Sequence, residues 1–306
     1  MKESKSKSGF LLICGVPNAG KSTFLNSILK EKIAGVSDKP QTTRRRITGI
    51  LTDRELNLQL IFIDTPGFHS SSKIINKLMN EQIFESIKEI DLILLITDIS
   101  KDLDEDELPL ISRIEDIKTK TNKKIVGLLN KIDKGKNENK FQFLTKKNLF
   151  DQFIEISAIN LNRDQILQQI YPYIPYSSFY YPEDIISTMY EREQVVEIIQ
   201  EKIFLLLFEE LPYSTYVEVL QFNEKNDLIE IEANVCCEKE SQKPIIIGKN
   251  AEVIKKIRLM TEKDLKFIFG KKVKCNLYVK VVKNWTKNNY ILKELGFNIS
   301  KLKNNK

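Results

Sequence analysis

Along the first half of the chain, short apolar runs alternate with longer segments of helical length. The runs fall at residues 10–14, 58–63, 92–96, 125–129 and 153–156, and the longer segments at 21–29, 74–88, 106–118, 139–148 and 163–171. All-apolar runs this short are strands buried on both faces. Their alternation with helices predicts an α/β domain built on a mostly parallel sheet covered on each side. Residues 45–53 read as an extra strand that hairpins onto 58–63. Ligands of such sheets sit beyond the carboxyl ends of the strands.

The alternation stops at residues 171–182. Pro172, Pro175 and Pro182, with serines and tyrosines between them, predict a stiff, extended linker. A different pattern follows. Residues 192–207 form a helix pattern with Val195, Val196, Ile199 and Ile203 on its apolar positions. Residues 215–222 and 228–235 alternate as strands around a turn at 223–227. A long amphipathic helix at 252–269 and a last strand at 274–282 complete the set. Ile245, Ile246 and Ile247, with Ile254 and Ile257, are expected in the core of one face. The expected division is a first domain over 1–172, a linker over 173–190, a second domain over 191–285 and a Lys/Asn-rich tail over 286–306.

Composition adds little to the fold and more to its partners. The 306 residues suit about two domains, and 42% hydrophobic with 29% charged content is ordinary for a globular chain. No apolar run approaches the ~18 residues of a membrane-spanning helix, and no secretory signal is read at the start. Cys14, Cys236, Cys237 and Cys275 lack metal-like spacing, so free thiols and a cytoplasmic setting are expected. The net charge of +6 is unevenly spread. Residues 241–306 hold 17 Lys and Arg against 4 Asp and Glu, while 1–240 hold 31 against 38. A basic end of this kind is either a solvated face or the footprint of a polyanion.

The candidate chemistry begins at residues 15–22, where Gly15, Gly20, Lys21 and Ser22 fit G-x-x-x-x-G-K-[ST] after a strand and ahead of a helix. Backbone N–H groups must turn inward around phosphate oxygens, which glycine permits, and the helix start adds its positive end. Lys21 would reach the β- and γ-phosphates, and the Ser22 hydroxyl would ligate Mg²⁺. Asp64, Thr65, Pro66 and Gly67 end a second strand: a carboxylate there can hold Mg²⁺ through water, and the Gly67 N–H can meet the γ-phosphate. Asn130, Lys131 and Asp133 end another. Asp133 suits a base with two adjacent N–H donors, which guanine has and adenine lacks. Asn130 is expected on the other edge of the base, with the Lys131 stem over the ring. Buried polar groups left unpaired by adenine support discrimination of about 10⁴ or more. Ser157 and Ala158 complete the base pocket. Between the first helix and the second strand, Thr43 is favoured over Thr42 as a ligand of Mg²⁺. Arg44–Arg46 are read either as a solvated edge or as catalytic, and His69 as a mobile surface histidine.

In their order and spacing these motifs resemble the Era family of bacterial GTPases. The resemblance rests on residues 15–22 with Pro17 and Asn18, on Gln41, Thr42, Thr43 and Arg44, on 64–67, on 130–133, and on the second half from Gln242 to Trp285. It therefore covers nearly the whole chain. It implies a P-loop, Ras-like GTPase domain and a C-terminal α+β type II KH domain. It also implies a GTP/GDP site on Gly15, Asn18, Ala19, Gly20, Lys21, Ser22 and Thr23 with the residues above, and slow hydrolysis used as a switch. Lys21, Thr43 and Gly67 would serve hydrolysis; Ser22, Thr43 and Asp64 would hold the metal. Phe68 stands where Ras-like proteins place a water-orienting glutamine. Asn18 resembles the asparagine that helps hold K⁺ in some relatives, so K⁺ is an added expectation.

In the second domain, Gly248, Lys249, Asn250 and Ala251 form a tight turn whose N–H groups can clamp a nucleic-acid backbone, with Lys255 and Lys256 beside it. This turn resembles the G-x-x-G loop of KH domains, with Ala251 in place of the last glycine. The methyl there is expected to resist a positive φ. The resemblance implies binding to the 3′ end of 16S rRNA, a role in small (30S) ribosomal subunit assembly, a monomer, and peripheral association with the inner face of the cell membrane. The alternative is a GTP-regulated membrane or protein tether with no RNA role.

Overall fold

A computed structural model describes residues 5–70 and 74–298. The chain divides into two compact units, one of Met1–Ile33 with Thr43–Thr188, the other of Ala34–Thr42 with Met189–Lys306. The end of the Lys/Asn-rich tail, 299–306, lies outside the described residues.

The first unit runs β1 (Lys7–Cys14), α1 (Lys21–Leu29), β2 (Ile47–Asp53), β3 (Leu58–Asp64), α2 (Ile74–Ser86), β4 (Leu92–Asp98), α3 (Glu107–Thr121), β5 (Lys124–Asn130), α4 (Glu138–Lys146), β6 (Gln152–Glu155) and α5 (Arg163–Ile170). Its sheet has the order β2-β3-β1-β4-β5-β6. Every residue of β3 and β4 is buried, as the uninterrupted apolar runs require of strands covered on both faces. Only β2 is antiparallel, laid on β3 from Ile47 against Asp64 to Asp53 against Leu58. The parallel register sets the ends of β1, β3, β4 and β5 side by side, which collects the motifs.

The expected linker is partly a piece of this unit. Residues 173–188 run along the sheet and are fastened to it. Tyr176 bridges Lys7 and Ser187 bridges Gly49. The Gln59 amide donates to the Tyr181 carbonyl and accepts from the Tyr180 and Tyr181 N–H groups. An extended, proline-stiffened chain leaves its backbone groups unpaired, and here the start of β1, the edge strand β2 and the Gln59 side chain of β3 satisfy several of them.

The second unit contains α6 (Glu191–Leu206), β7 (Thr215–Glu224), β8 (Leu228–Cys237), α7 (Lys243–Ile247), α8 (Glu252–Phe269), β9 (Lys272–Val281) and α9 (Asn289–Glu294). Its sheet is β7-β8-β9, the first pair antiparallel and the second parallel. Val195, Ile199 and Ile203 of α6 and Ile257 and Leu265 of α8 bury against Ile229, Ile231 and Val235 of the sheet. The expected isoleucine face needs correction. Residues 243–247 are helical, so consecutive isoleucines point different ways: Ile246 is fully buried while Ile245 is 59% exposed. All four cysteines are free and buried.

Candidate functional site

The phosphate loop is shaped by its glycines. A Cβ on Gly15 would stand 2.4 Å from the Ile96 carbonyl oxygen, and one on Gly20 would stand 2.1 Å from the Asn130 amide nitrogen. Gly20 also has φ 102°, a region that side chains disfavour. Gly67 is also crowded, its absent Cβ lying 2.8 Å from the Pro17 nitrogen. The Phe68 N–H donates to the Gly15 carbonyl at 3.1 Å, which ties the 64–67 loop to the phosphate loop. Ala19, Thr65 and Pro66 are buried and Thr23 half-buried along the same wall.

Lys21 is buried and donates to the Val16 carbonyl at 2.8 Å. Burial pushes its ammonium down to about 8, against the pull of Asp64. Burial likewise pushes the Asp64 carboxyl up to about 6, against Lys21 and the Ser22 hydroxyl. Ser22 Oγ lies 2.9 Å from Asp64 Oδ2 and 2.8 Å from Thr43 Oγ1. Asp64 Oδ1 is buried with no hydrogen-bond partner. Two hydroxyls and an orphaned carboxylate oxygen, beside a buried lysine, form a hard-oxygen set that fits a magnesium ion. Thr42 turns elsewhere: its hydroxyl donates to the Lys39 carbonyl at 3.0 Å and pairs with Ser37. The structure thus brings Thr43, and not Thr42, to Ser22.

The base end is built around Asn130, which is 1% exposed. Its amide donates to the Ala19 carbonyl at 2.7 Å, and its oxygen accepts from the Ala158 N–H at 2.9 Å. Asn130 is thus a strut between the phosphate loop and residues 157–158, and its amide carries a second N–H beyond the one given to Ala19. Ser157 Oγ is buried without a partner. Lys131, at φ 65°, donates to the Asn18 carbonyl at 2.7 Å. Asp133 is exposed in the turn Ile132–Lys134, open to a base.

In the second unit, Gly248 has φ 74°, and a Cβ there would stand 2.5 Å from Val253. Asn250 and Ala251 take φ 51° and 59°, so the alanine methyl does not forbid the left-handed turn. Lys249, Asn250, Lys255 and Lys256 are exposed beside it.

Residues 10–131 match a family described as 50S ribosome-binding GTPase, and residues 210–286 match the KH domain family. The chain is 41% identical over 297 residues to GTPase Era of Clostridium botulinum (strain Hall), spanning 95% of this chain and 98% of that protein. The chain belongs to the Era family of GTPases. GTPase Era of Thermoanaerobacter sp. (strain X514) is 40% identical over 96% of the chain. Among solved structures, Era in complex with MgGDPNP and nucleotides 1506–1542 of 16S ribosomal RNA superposes with a TM-score of 0.88 at 31% identity, covering 95% of this chain and 99% of that one. Aquifex aeolicus Era bound to GDP·AlF4⁻ gives 0.87 at the same identity and coverage. As an Era-family GTPase the chain binds GTP and GDP and hydrolyses GTP, and its two units are a P-loop GTPase domain and a KH domain.

Several neighbours of the Era-family site escape sequence reasoning. His69 is anchored: its Nδ1 lies 3.2 Å from Asp106 Oδ2, and the Asn80 amide brackets its backbone N–H and C=O. Arg44 is buried while Arg46 is exposed, so the arginine run is not one solvated edge. Lys140 and Glu107 form a buried ion pair under the end of β4. Asp98 meets Lys131 at 2.9 Å. Burial alone would push the Asp98 carboxyl up; hydrogen bonds from Ser100 and Lys131 outweigh it and hold the group below its usual range. The one sequence signal for Asp98 was its place at the carboxyl end of a parallel strand.

Proposed function

We propose that this chain is a GTP-controlled switch that binds the 3′ end of 16S rRNA and assists assembly of the small (30S) ribosomal subunit. The observation that carries the reading is likeness along 95% of the chain to an Era structure holding both MgGDPNP and 16S rRNA nucleotides 1506–1542. The exposed Lys249, Asn250, Lys255 and Lys256 around the left-handed turn at 248–251 support it on the RNA side.

In the nucleotide pocket, the N–H groups of the phosphate loop and the Lys21 ammonium hold the β- and γ-phosphates. Asp133 accepts from guanine, the Lys131 stem covers the ring, and Asn130 keeps Ala19 and Ala158 in place. Ser22, Thr43 and Asp64 would hold magnesium, which when bound neutralises charge on the phosphates and orients them. Thr43 orders its loop with triphosphate and releases it with diphosphate. Phe68 is 8% exposed and packs edge-on against Phe84 at 6.2 Å. An apolar ring cannot orient water, so the attacking water would be placed by backbone groups, by Thr43 or by a bound cation, for which Asn18 would help hold K⁺. Hydrolysis at equal rates in sodium and potassium removes the K⁺ assignment.

The deciding experiment is crosslinking and sequencing of bound RNA with GTP and with GDP. Crosslinks from residues 249–256 to the small-subunit rRNA 3′ end, stronger with GTP, are expected. Binding to anionic vesicles that survives RNase, with no RNA retained, would instead establish a membrane tether.

A further inference from the structure

The register of the first sheet places Asp98 directly beside Asn130, at the ends of β4 and β5. The next residue, Lys131, takes a left-handed backbone, φ 65° and ψ 33°. Its ammonium is shared between two acceptors, the Asn18 carbonyl of the phosphate loop at 2.7 Å and Asp98 Oδ2 at 2.9 Å.

The Asp98 carboxylate is itself fully oriented. Its Oδ1 accepts from the Ser100 N–H at 3.1 Å and from the Ser100 hydroxyl at 2.6 Å, which aims Oδ2 at the lysine. The Asp98 carbonyl accepts from buried Lys140 at 2.9 Å, and the Ile99 N–H donates to the Asn130 carbonyl at 2.9 Å. The side chain is 12% exposed. No group of the phosphate or magnesium set is bonded to it among the described contacts. Its outward oxygen serves Lys131.

We propose that Asp98 is a positioning residue for guanine-nucleotide binding: it pins the Lys131 ammonium against the phosphate loop, so that the lysine stem stands as a preformed wall of the base pocket. A lysine has four rotatable bonds, and a free one would lose that freedom each time it covered a base. Held between Asp98 and Asn18, it has lost the freedom before the nucleotide arrives, and preorganisation of this kind shows as affinity. The inference rests on Lys131 being a wall of the base pocket, and the test separates the two claims.

Affinity for a fluorescent GDP analogue is to be measured on the full chain for Asp98→Asn, Lys131→Met and the double variant. Asp98→Asn is expected to weaken binding about tenfold in the wild-type background, mainly through faster dissociation, and less than about twofold when Lys131 is already Met. Asp98→Glu should recover part of the loss. If Asp98→Asn folds poorly, Ser100→Ala keeps the carboxylate but frees its orientation. It should give a smaller loss that also vanishes in the Lys131→Met background. A strand-end staple without a positioning role would weaken binding equally in both backgrounds, and that result overturns the proposal. Wild-type affinity in Lys131→Met overturns the wall as well, whereas a weakened Lys131→Met beside an unaffected Asp98→Asn overturns the role of Asp98 alone.

Discussion

Lys21 and Asp64 each sit in a place that disfavours their own charge. Burial depresses the lysine to about 8 and raises the carboxyl to about 6, and each is the other's nearest relief. A triphosphate favours the charged lysine, so binding restores a proton that the free protein releases above pH 8. The sign follows: GTP affinity falls as pH rises through about 8, by up to about tenfold per unit, because the phosphates stay fully ionised over that range. Titrating a fluorescent GTP analogue from pH 7 to pH 9 checks this, and a flat profile counts against a buried, charge-starved Lys21. The orphaned Asp64 Oδ1 makes a separate claim. If it orders magnesium through water, Asp64→Asn should raise the Mg²⁺ concentration needed for half-maximal GTP binding by about 10–100-fold. An unchanged Mg²⁺ midpoint removes Asp64 from the metal. At this scale the sequence shows residues whose neighbours lie within a few positions, such as Gly20, Lys21 and Ser22. It hides Asp98, whose partner arrives only through the β4–β5 register, and it hides the bracing role of Asn130, whose partners Ala19 and Ala158 lie far away in the chain.

Elements were legible wherever burial was uniform or period was long. The strands of the first sheet announce themselves because both faces are covered, and α8 because its apolar stripe persists over Glu252–Phe269. A short segment carries no such redundancy. Residues 243–247 hold three isoleucines in one helical turn, and only tertiary packing decides that Ile246 faces in and Ile245 out. The turn that follows stores a cost. Ala251 sits at φ 59° directly before α8, where an L side chain is disfavoured by ~1–2 kcal/mol relative to glycine. Glycine also loses more freedom on folding, so Ala251→Gly should stabilise the chain by a net ~0.5–1 kcal/mol, read as a higher urea midpoint with an unchanged slope. RNA affinity should rise with it, since the methyl no longer borders the backbone-binding turn. A lower midpoint would mean that the alanine makes a packing contact worth more than its strain.

For the whole molecule, the division into a sheet domain and a basic domain was legible from the change of period and the proline stretch. The fate of residues 173–188 was not, because pairing with the sheet depends on backbone groups that any extended chain carries. Charge sets the larger contrast: 17 basic against 4 acidic residues in 241–306, and an acidic excess in the rest. An RNA strand is drawn to the former and repelled by the latter, so affinity should be carried by few lysines and respond steeply to salt. For single strands each neutralised phosphate contributes about 0.7 to the slope of log affinity against log salt. Replacing Lys249, Lys255 and Lys256 together by Gln should therefore lower that slope by about 2, and weaken binding about 10–100-fold near physiological salt. Titrations of a single-stranded RNA carrying the small-subunit 3′ sequence, between low and moderate salt, give both quantities. If affinity falls while the slope holds, these side chains order the turn and do not touch phosphate, and the attraction resides in the other lysines of α8 and β9. If neither changes, the RNA lies on another face, and the left-handed turn at 248–251 needs a different ligand.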